Sequence, residues 1–593
     1  MSVQGDVDSV RARRRYNRIL LLVAGLGGLL YGVDVGIIAG ALPYLQATSG
    51  FNAGQISIIV AAVLLGSVIS TLFAGLLADW LGRKSLMTLS GILFVASIPM
   101  IALSHGYTPL LAGRLLQGVS AGLIGVVVPL YLAECLTPAT RGRGTAIFQW
   151  LLTLGILISA IIGLIFSFLV ADVARRHNAA DLFAFKNTAW RSIFWSALLP
   201  GVLFVMGSFF VTESPRWLFR KGNRSGAHAA LLKSRPPDQA AIELKEMEAT
   251  ASSETTDGAV RRESLLQRRY VAPFLLACLI LACNQTTGIN SIIGYNATIL
   301  IQAGLSDVQA HWGYLLFTAF NFLLTIAGVL LVDRIGRKRL LSIGTAGIIV
   351  SLGCTGLLFQ RAQRNRRDCA TALIPLITRH QALAIRFDSA TAAKMLGRKP
   401  STLSAHPVTL TVVYSYGDFS GATTAVRSDS QMAKPIRITR RACVPANPVV
   451  AFFSNPFASL TAAREAPLKV DHAWVTPVPS EFSGDLTALS LLVFISFYAA
   501  GPGVCVWLAL SELMPTRIRS NGMSIALLIN QSVSAVIAAF FLPTVGKYGY
   551  GLVFFGFAGC TVIYFLAAAL WLPETQNKTL EEIAAGFGET KAR

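Results

Sequence analysis

The feature that most constrains the fold of this chain is its series of long apolar segments. About 20 consecutive apolar residues cross a bilayer as a helix, and twelve segments of about that length occur along the 593 residues. The sequence therefore predicts an all-α membrane protein with twelve transmembrane helices, called spans 1 to 12 below. In chain order the predicted spans cover residues 19–45, 55–79, 84–103, 107–135, 144–170, 190–212, 271–302, 311–333, 339–360, 486–514, 520–543 and 550–572.

The overall composition agrees with this fold class. Hydrophobic residues make up 53% of the chain and charged residues only 14%, and the mean hydropathy is +0.58. A net charge of +21 would on its own suit a nucleic-acid-binding protein, but such a protein would not carry so much apolar sequence. The composition therefore indicates a polytopic protein in a lipid bilayer and excludes nucleic acid as a partner.

The distribution of Lys and Arg predicts the orientation in the membrane. If the N-terminus is cytoplasmic, the segments on that side hold 29 of the 51 Lys and Arg residues, and the opposite loops between spans 1 and 2, 3 and 4, and 7 and 8 hold none. Cytoplasmic loops are enriched in these residues, so both termini are expected in the cytoplasm. The apolar segment behind the basic N-terminus is too long for a cleaved signal peptide and should remain as span 1.

Span 1 carries an acidic residue near its middle, Asp34. An ionised side chain at the centre of a transmembrane helix costs roughly 2.5–3.5 kcal/mol on insertion scales, and span 1 offers no cation within helical reach of Asp34. The carboxyl group therefore needs a partner from another helix or must bind a proton. A carboxyl group that only faces a protein-lined cavity is the alternative.

Two similar loop sequences indicate an internal duplication. The pattern Asp-x-x-Gly-Arg-Lys begins at Asp79, behind span 2, and recurs at Asp333, behind span 8. In each copy a glycine permits a tight turn and two cations favour the cytoplasmic side. A glutamate also precedes an arginine by seven residues after span 4 and again after span 10. We expect ion-pair clusters at the cytoplasmic face from Asp79, Arg83, Glu134 and Arg141 in the first half, and from Asp333, Arg337, Glu512 and Arg519 in the second.

The spacing between matching residues locates an insertion in the second half. Asp333 follows Asp79 by 254 residues, but Glu512 follows Glu134 by 378, so 124 extra residues lie between spans 8 and 10. We place this insert at 361–485, outside the cytoplasm. We expect a small β-rich domain there, because stretches such as 408–412 alternate between apolar and polar residues. Its 16 basic and 8 acidic residues favour either anionic surface groups or a solvated basic face.

The remaining parts of the chain follow from the spans and the insert. No phosphate-binding loop, metal-spaced His and Cys cluster or nucleophile motif occurs in the sequence. We therefore expect neither an enzyme nor a cofactor, and an ion gradient rather than ATP as the source of energy. The predicted parts are an N-terminal six-helix bundle at 1–213, a cytoplasmic linker with short helices at 214–270, spans 7–9 at 271–360, the insert at 361–485, spans 10–12 at 486–575 and a cytoplasmic tail at 576–593.

These features resemble the sugar porters of the major facilitator superfamily. The paired loops carry the resemblance together with Glu213-Ser214-Pro215-Arg216-Trp217-Leu218 behind span 6 and Pro573-Glu574-Thr575 behind span 12. Residues 31–43 in span 1 look most like those of bacterial galactose– and arabinose–proton symporters. The resemblance covers all twelve spans and not the insert. It implies two six-helix bundles that rock about a central substrate site.

The resemblance also assigns roles to polar residues inside the spans. It implies that Asp34 carries the proton and that Arg114 of span 4 is its partner, because a guanidinium stays protonated and can hold a carboxylate ionised when the two meet. A purely structural ion pair is the alternative. Sugar-binding amides are implied at Gln149, Asn284, Gln285, Asn290, Asn321 and Asn530, although a lone amide in a span also serves as a contact between helices.

Three positions depart from the pattern of the family. Ile156 and Gln531 replace a glutamine and a tryptophan of xylose-type relatives, and the segment behind Pro502 in span 10 is longer before its tryptophan. The loss of stacking surface leaves the substrate open between a hexose, a pentose and a polyol.

The expected activity is import of a monosaccharide with protons by alternating access, in the plasma membrane and by a monomer. Two alternatives stay open at this point. One is a facilitator of sugars or polyols without proton coupling. The other is a sugar receptor that does not transport and that signals through the insert.

Two of the eight cysteines lie in the insert, Cys369 and Cys443. Because the insert is expected in an oxidising compartment, we predict that they form a disulfide. Two free thiols that are too far apart to bridge are the alternative.

Overall fold

The computed structural model of the protein describes residues 2–574, apart from 137, 177–178, 257–267, 399–406, 430–434, 449–450, 452–454, 456 and 515–518. In this part of the chain, twelve helices or helix pairs are long and apolar enough to cross a membrane, so the predicted all-α membrane fold is confirmed. The spans lie in the helices Ser2–Ser49, Ala53–Leu81, Arg83–Ala102, Tyr107–Cys135, Pro138–Arg176, Ala179–Ser196 with Leu198–Phe209, Arg268–Thr286 with Ile289–Gln302, Asp307–Ile335, Arg337–Gln363, Glu481–Ala500 with Pro502–Leu513, Arg519–Tyr548 and Tyr550–Leu566.

The spans form two bundles of six. In the first bundle, span 1 packs along span 5, and span 4 packs against spans 2 and 3. In the second, span 9 packs against spans 10 and 12, and span 7 packs against span 11. Glycines permit the closest approaches, because a side chain at Gly28 or Gly32 of span 1 would overlap with the backbone of span 5 at Phe148 or Leu152. Small residues at such interfaces are typical of membrane proteins.

Two matching glycine turns lie at the same end of the two bundles. Gly82 between spans 2 and 3 and Gly336 between spans 8 and 9 have φ angles of 99° and 90°, which glycine adopts most readily. We call the end that carries these turns the inner end, and the opposite end, which carries the loop at 50–52, the outer end. Three short helices behind span 6 lie at the inner end: Pro215–Arg220, Arg224–Ser234 and Pro237–Thr256.

Span 7 is interrupted near its middle. Its first helix ends at Thr286 and its second begins at Ile289, and between them Gly288 has a φ angle of 79°. A side chain at Gly288 would overlap with the ring of Phe557 in span 12. In transporters, interrupted helices of this kind are found beside the substrate site.

The insert lies at the outer end, between span 9, which ends at Gln363, and span 10, which begins at Glu481. Its strands are β1 Arg367–Asp368, β2 Leu383–Ile385, β3 Val408–Tyr416, β4 Phe419–Ala422, β5 Val426–Arg427, β6 Ile436–Ile438 and β7 Leu468–Pro477. The main sheet has the order β1–β7–β3–β4, with β5 also paired to β3, and β2 and β6 form a second sheet. All of these pairs are antiparallel. The prediction of a small insert that contains strands is confirmed.

Alternation along β3 builds a separate hydrophobic core for the insert. Leu410, Val412 and Tyr414 are fully buried in this core, whereas Thr409 and Thr411 are half-buried. Successive side chains of a strand point to opposite faces of the sheet, so one face of β3 supplies the core. The same alternation had predicted a strand at 408–412.

The insert also packs onto the outer ends of both bundles. Val413 and Ala422 belong to the hydrophobic core of the bundles rather than to that of the insert, and Ala422 faces Gly546 in span 11. On the other side, the Asn52 side chain at the start of span 2 donates a hydrogen bond of 2.6 Å to the carbonyl of Ala442. The insert therefore contacts the N-terminal and the C-terminal bundle at the same time.

The predicted disulfide between Cys369 and Cys443 is wrong, because both thiols are free. Cys369 lies at the β1 edge of the main sheet, where its backbone N–H donates to Ala473 on β7. Cys443 lies beside β4, where its thiol donates to the carbonyl of Phe419. Strands β7 and β3 separate these edges, and with strands about 4.8 Å apart the gap exceeds the roughly 7 Å that a disulfide tolerates between Cα atoms. Burial raises the pKa of the Cys443 thiol to about 12.

We expect Gly288→Ala to lower the thermal stability of the protein. Alanine in the left-handed region costs about 1–2 kcal/mol, and its methyl group would collide with the Phe557 ring. Gly559→Ala in span 12 is the matched control, because an added methyl group there meets no other atom within 4 Å. Thermal unfolding in detergent measures the difference. Equal melting temperatures for the two variants would contradict the role of Gly288 in the break of span 7.

Candidate functional site

Polar side chains from spans 7 and 11 meet at the break in span 7. Gln285 donates a hydrogen bond of 3.0 Å from Nε2 to Oδ1 of Asn530. Asn290 donates from Nδ2 to Oε1 of Gln285 at 2.9 Å and to Oγ of Ser534 at 2.7 Å. The structure thus brings three of the predicted amides together, and we call Gln285, Asn290, Asn530 and Ser534 the amide cluster. Such neutral groups can exchange hydrogen bonds with the hydroxyl groups of a small solute.

Two tyrosines extend the amide cluster. The hydroxyl group of Tyr498 in span 10 accepts a hydrogen bond of 3.2 Å from Nδ2 of Asn284, whose Oδ1 is buried and has no hydrogen-bond partner among the described residues. The hydroxyl group of Tyr31 in span 1 accepts one of 3.4 Å from Nε2 of Gln531, and this contact joins the two bundles. A buried acceptor without a partner, such as Oδ1 of Asn284, is available to a bound solute.

The remaining two predicted amides belong to spans 5 and 8, which pack against each other. Gln149 is half-buried and Asn321 is buried. The residues that follow them, Trp150 and Phe322, stack across the two bundles with ring centroids 5.4 Å apart. Within the described residues, the hydrogen bonds of the amide cluster do not include either side chain. A contact of Gln149 or Asn321 with the solute stays a prediction.

The predicted ion pair lies inside the first bundle. Nη1 of Arg114 and Oδ1 of Asp34 are 3.9 Å apart, and only 1% and 0% of the two side chains are exposed. This distance allows electrostatic attraction but exceeds that of a hydrogen bond. The same Nη1 atom donates a hydrogen bond of 2.6 Å to Oε1 of Gln117, one turn along span 4. The ring of Phe194 lies 5.5 Å from the guanidinium.

Asp34 and Gln117 therefore compete for one guanidinium. Both carboxyl oxygens of Asp34 are buried and accept no hydrogen bond from the described residues. Because a buried charge without hydrogen bonds is costly, the carboxyl group gains stability either by binding a proton or by drawing Arg114 closer. Sequence reasoning missed Gln117, although its place three residues after Arg114 puts both side chains on one face of span 4.

Tyr31 connects the ion pair with the amide cluster. It precedes Asp34 by three residues, so both side chains lie on the same face of span 1. Its ring faces Gly125 in span 4, and its hydroxyl group reaches Gln531, the neighbour of Asn530 in span 11. A displacement of span 1 at Asp34 would therefore change a hydrogen bond beside the amide cluster.

Hydrogen bonds between the bundles close the outer end above the amide cluster. Tyr44 in span 1 donates to Oδ2 of Asp307 in span 8 at 2.9 Å, and the Tyr44 ring stacks on His311 with centroids 5.8 Å apart. Tyr295 in span 7 donates to Oγ of Ser57 in span 2 at 3.2 Å. These contacts join the halves of spans that point toward the insert, so the structure is closed toward the outer end.

Comparison with known proteins agrees with this arrangement of spans. Residues 20–378 and 473–587 match the protein family described as "Sugar (and other) transporter". The chain belongs to this family. The protein is therefore a multi-pass membrane transporter and not an enzyme, and the resemblance to sugar porters of the major facilitator superfamily is confirmed. The unmatched interval, 379–472, falls within the insert.

Two relatives and one solved structure show how far the similarity extends. The human proton myo-inositol cotransporter is 28% identical over 600 residues, which cover 98% of this chain and 85% of that protein. The galactose-proton symporter of Escherichia coli K12 is 29% identical over 350 residues, which cover 59% and 71%. The xylose transporter XylE from E. coli, in a partially occluded inward open conformation, has a TM-score of 0.62 at 19% identity and covers 95% of this chain and 100% of that one. The last likeness supports the fold alone.

At the inner end of the sugar transporter, three of the four predicted ion-pair residues of the first half lie together. The guanidinium of Arg83, of which 2% is exposed, lies 2.9 Å from the carboxylates of Asp79 and Glu134. Arg220, behind span 6, lies 3.6 Å and 3.2 Å from the same two carboxylates, and the hydroxyl group of Ser214 donates to Glu134. These contacts tie spans 2, 3 and 4 to the segment behind span 6.

Both halves of the transporter share one contact that sequence reasoning missed. Oε1 of Glu213 accepts a hydrogen bond of 2.9 Å from the backbone N–H of Arg83, and Oε1 of Glu574 accepts one of 3.0 Å from that of Arg337. Each glutamate thus lies at the N-terminus of a span, where the helix dipole favours negative charge. The ion pairs predicted for four other side chains lie outside the described part of the structure: Arg141, Asp333, Glu512 and Arg519.

We expect Glu134→Gln to destabilise the transporter far more than Asp79→Asn. Both acids contact Arg83, but only 6% of the Glu134 side chain is exposed, against 60% of Asp79. Removing one partner of a buried ion pair costs about 3–5 kcal/mol, whereas an exposed pair contributes about 0–1 kcal/mol. Thermal unfolding of both variants in the same detergent measures the difference. Equal losses would show that Glu134 is not the partner that holds Arg83.

Proposed function

We propose that the protein imports a monosaccharide together with protons by alternating access. Membership of the family supports sugar transport. The observation that carries proton coupling is the buried carboxyl group of Asp34, which has no hydrogen bond within the described residues and lies 3.9 Å from Arg114. The relative from E. coli that is named a galactose-proton symporter supports the same proposal.

In the proposed cycle, the protonation of Asp34 decides the partner of Arg114. When Asp34 carries a proton, Arg114 keeps its hydrogen bond to Gln117 and no charge draws span 1 toward span 4. When the proton leaves, the carboxylate attracts Arg114 strongly, because charges interact strongly in a low-dielectric interior. The two forms therefore favour different positions of span 1, and a ligand that binds one of these positions better shifts the balance between them.

The solute would bind at the amide cluster. Its hydroxyl groups would take over hydrogen bonds that Gln285 and Asn290 now make with Asn530 and Ser534, and Oδ1 of Asn284 would accept one more. The cluster as defined contains amides and a hydroxyl group and no charged side chain. A neutral polyhydroxylated solute therefore fits it better than an anion or a cation.

A cyclic polyol is the second candidate substrate. Gln531 stands where a tryptophan is expected in xylose-type relatives, and its side chain bonds to Tyr31 and offers no stacking face. The human relative of this chain is named a proton myo-inositol cotransporter. Uptake of radiolabelled galactose, xylose and myo-inositol into the same proteoliposomes distinguishes the candidates.

The proposal includes an orientation in the plasma membrane. With the inner end in the cytoplasm, the Lys- and Arg-rich loops lie on the side that such loops normally occupy. Both termini and the linker at 214–270 would then be cytoplasmic, and the insert at 361–485 would lie outside. Each monomer contains a complete pair of bundles and would work alone.

We expect Asp34→Asn to abolish accumulation of the solute against its gradient while preserving binding and exchange. An amide can neither release a proton nor form an ion pair with Arg114. The pH gradient therefore cannot drive accumulation through residue 34. Asp172→Asn is the matched control, because Asp172 is 39% exposed and bonds to Arg176 at the outer end of span 5. Accumulation in proteoliposomes under an imposed pH gradient is the measurement.

The outcomes of this experiment separate the three functional classes. Accumulation by Asp34→Asn at the level of the wild type would contradict proton coupling through Asp34. Uptake by the wild-type protein that only equilibrates the solute under the pH gradient would favour a facilitator. Neither uptake nor exchange by the wild-type protein with any of the three solutes would favour a receptor that signals through the insert.

A further inference from the structure

A cavity of about 490 Å³ lies at the outer end, between the insert and both bundles. Gln46 lines it from span 1, Thr298 and Gln302 line it from the second half of span 7, and Thr424 lines it from the insert. A smaller cavity of about 110 Å³ adjoins it and shares these four residues. Small-molecule sites in proteins have volumes of about 300–1,000 Å³, so the larger one, called the outer cavity below, can hold a small solute.

The charges on the described residues that line the outer cavity nearly cancel. Arg427 is paired with Asp429 at 2.8 Å, and the remaining charges on the lining are those of Lys186, Arg437 and Asp307. Within the described part of the lining, the five charged side chains thus leave one net positive charge. The field inside the cavity therefore does not select strongly for an ion.

Several neutral hydrogen-bonding side chains of the lining have no partner among the described residues. The side chains of Gln46, Gln302 and Thr424 are half-buried and form no hydrogen bond within the described residues. Two of the three carry amides, with a donor and an acceptor each. The outer cavity thus presents the same kind of groups as the amide cluster.

Thr298 is the second observation that points to a ligand. Its side chain is only 6% exposed, and its Oγ1 atom has no hydrogen-bond partner among the described residues. Buried hydroxyl groups are nearly always hydrogen-bonded, because an unmade bond destabilises the folded protein. Thr298 lines both cavities, so a solute in this space can supply the missing partner.

The outer cavity lies on the path from the outer end to the amide cluster. Thr298 follows Asn290 by eight residues on one helix, a rise of about 12 Å. Between the two positions, Tyr295 bonds to Ser57 across the bundles. Asp307, which accepts the hydrogen bond from Tyr44 in span 1, lines the cavity itself. A solute in the cavity would therefore be held directly outside the contacts that close the outer end.

We infer that the outer cavity is a second binding site, which takes the same neutral polyhydroxylated solute as the amide cluster before the outer end opens. This inference rests on the proposed function for the class of solute. The insert supplies one wall through Thr424 and its neighbours, so its role is to complete a small-molecule site at the mouth of the transporter. Opening of the contact between Tyr44 and Asp307 would connect this site with the amide cluster.

Equilibrium binding of radiolabelled galactose and of myo-inositol to the purified full-length protein tests the inference. Thr298→Val with Gln302→Leu alters the outer cavity, and Gln285→Ala alters the amide cluster. Thr561→Val is the matched control, because its buried hydroxyl group only donates to Phe557 in its own helix, in span 12. Thermal unfolding accompanies each measurement, and Thr298→Val should not lower the melting temperature, because its hydroxyl group has no partner to lose.

The expected result is two bound molecules per wild-type protein for at least one of the probes. The outer variant should bind at one site at least tenfold more weakly and keep the other site, and Gln285→Ala should show the reverse. Thr561→Val should resemble the wild type.

A single wild-type site that only Gln285→Ala removes would overturn the inference and leave the proposed function intact. A single site that only the outer variant removes would support the outer cavity and contradict the amide cluster as the solute site. If the protein binds neither probe, the inference is overturned. Uptake into proteoliposomes remains the separate test of the proposed function.

Discussion

In the proposed mechanism, transport depends on one buried pair of ionisable side chains, Asp34 and Arg114. A lone charge inside a span costs about 2.5–3.5 kcal/mol, which corresponds to a factor of roughly 100 in an equilibrium constant. At 3.9 Å the two groups attract each other without a hydrogen bond, while Gln117 holds the guanidinium at 2.6 Å. When Asp34 is protonated, no carboxylate charge attracts Arg114 away from Gln117. The pair can therefore convert a pH difference into a preference between two arrangements of spans 1 and 4.

Other polar residues connect this ion pair with the proposed solute site. Tyr31 lies on the face of span 1 that carries Asp34 and bonds to Gln531 of the opposite bundle. The break at Gly288 places amides from both halves of span 7 in one cluster. At the inner end, buried Arg83 joins spans inside the first bundle, so this bundle can move as a unit. In the proposed cycle, the contacts that open for exchange with the outside, such as Tyr44 to Asp307, lie between the two bundles.

The sequence predicts those features that depend on local pattern. Span positions follow from apolar length, the strand at 408–412 follows from alternation, and Arg83 with Glu134 follows from a repeated loop. The sequence does not predict features that depend on which faces of the helices pack against each other. Gln117, Tyr31, Tyr498 and Ser534 look like ordinary polar residues until spans 1, 4, 7, 10 and 11 are assembled. The disulfide prediction fails for the same reason, because β7 lies between β1 and β3 in the sheet although it comes last in the insert, and this order sends Cys369 and Cys443 to opposite edges.

Proton coupling is the central claim, and the pH of a weakly buffered medium around proteoliposomes tests it most directly. The wild-type protein is reconstituted without an imposed gradient, and the transported solute is added outside while a pH-sensitive dye reports on the medium. If Asp34 carries a proton inward with each solute molecule, the medium becomes alkaline as the solute enters, and a protonophore abolishes the change. Entry of the solute at a constant pH of the medium would contradict the claim and identify the protein as a facilitator.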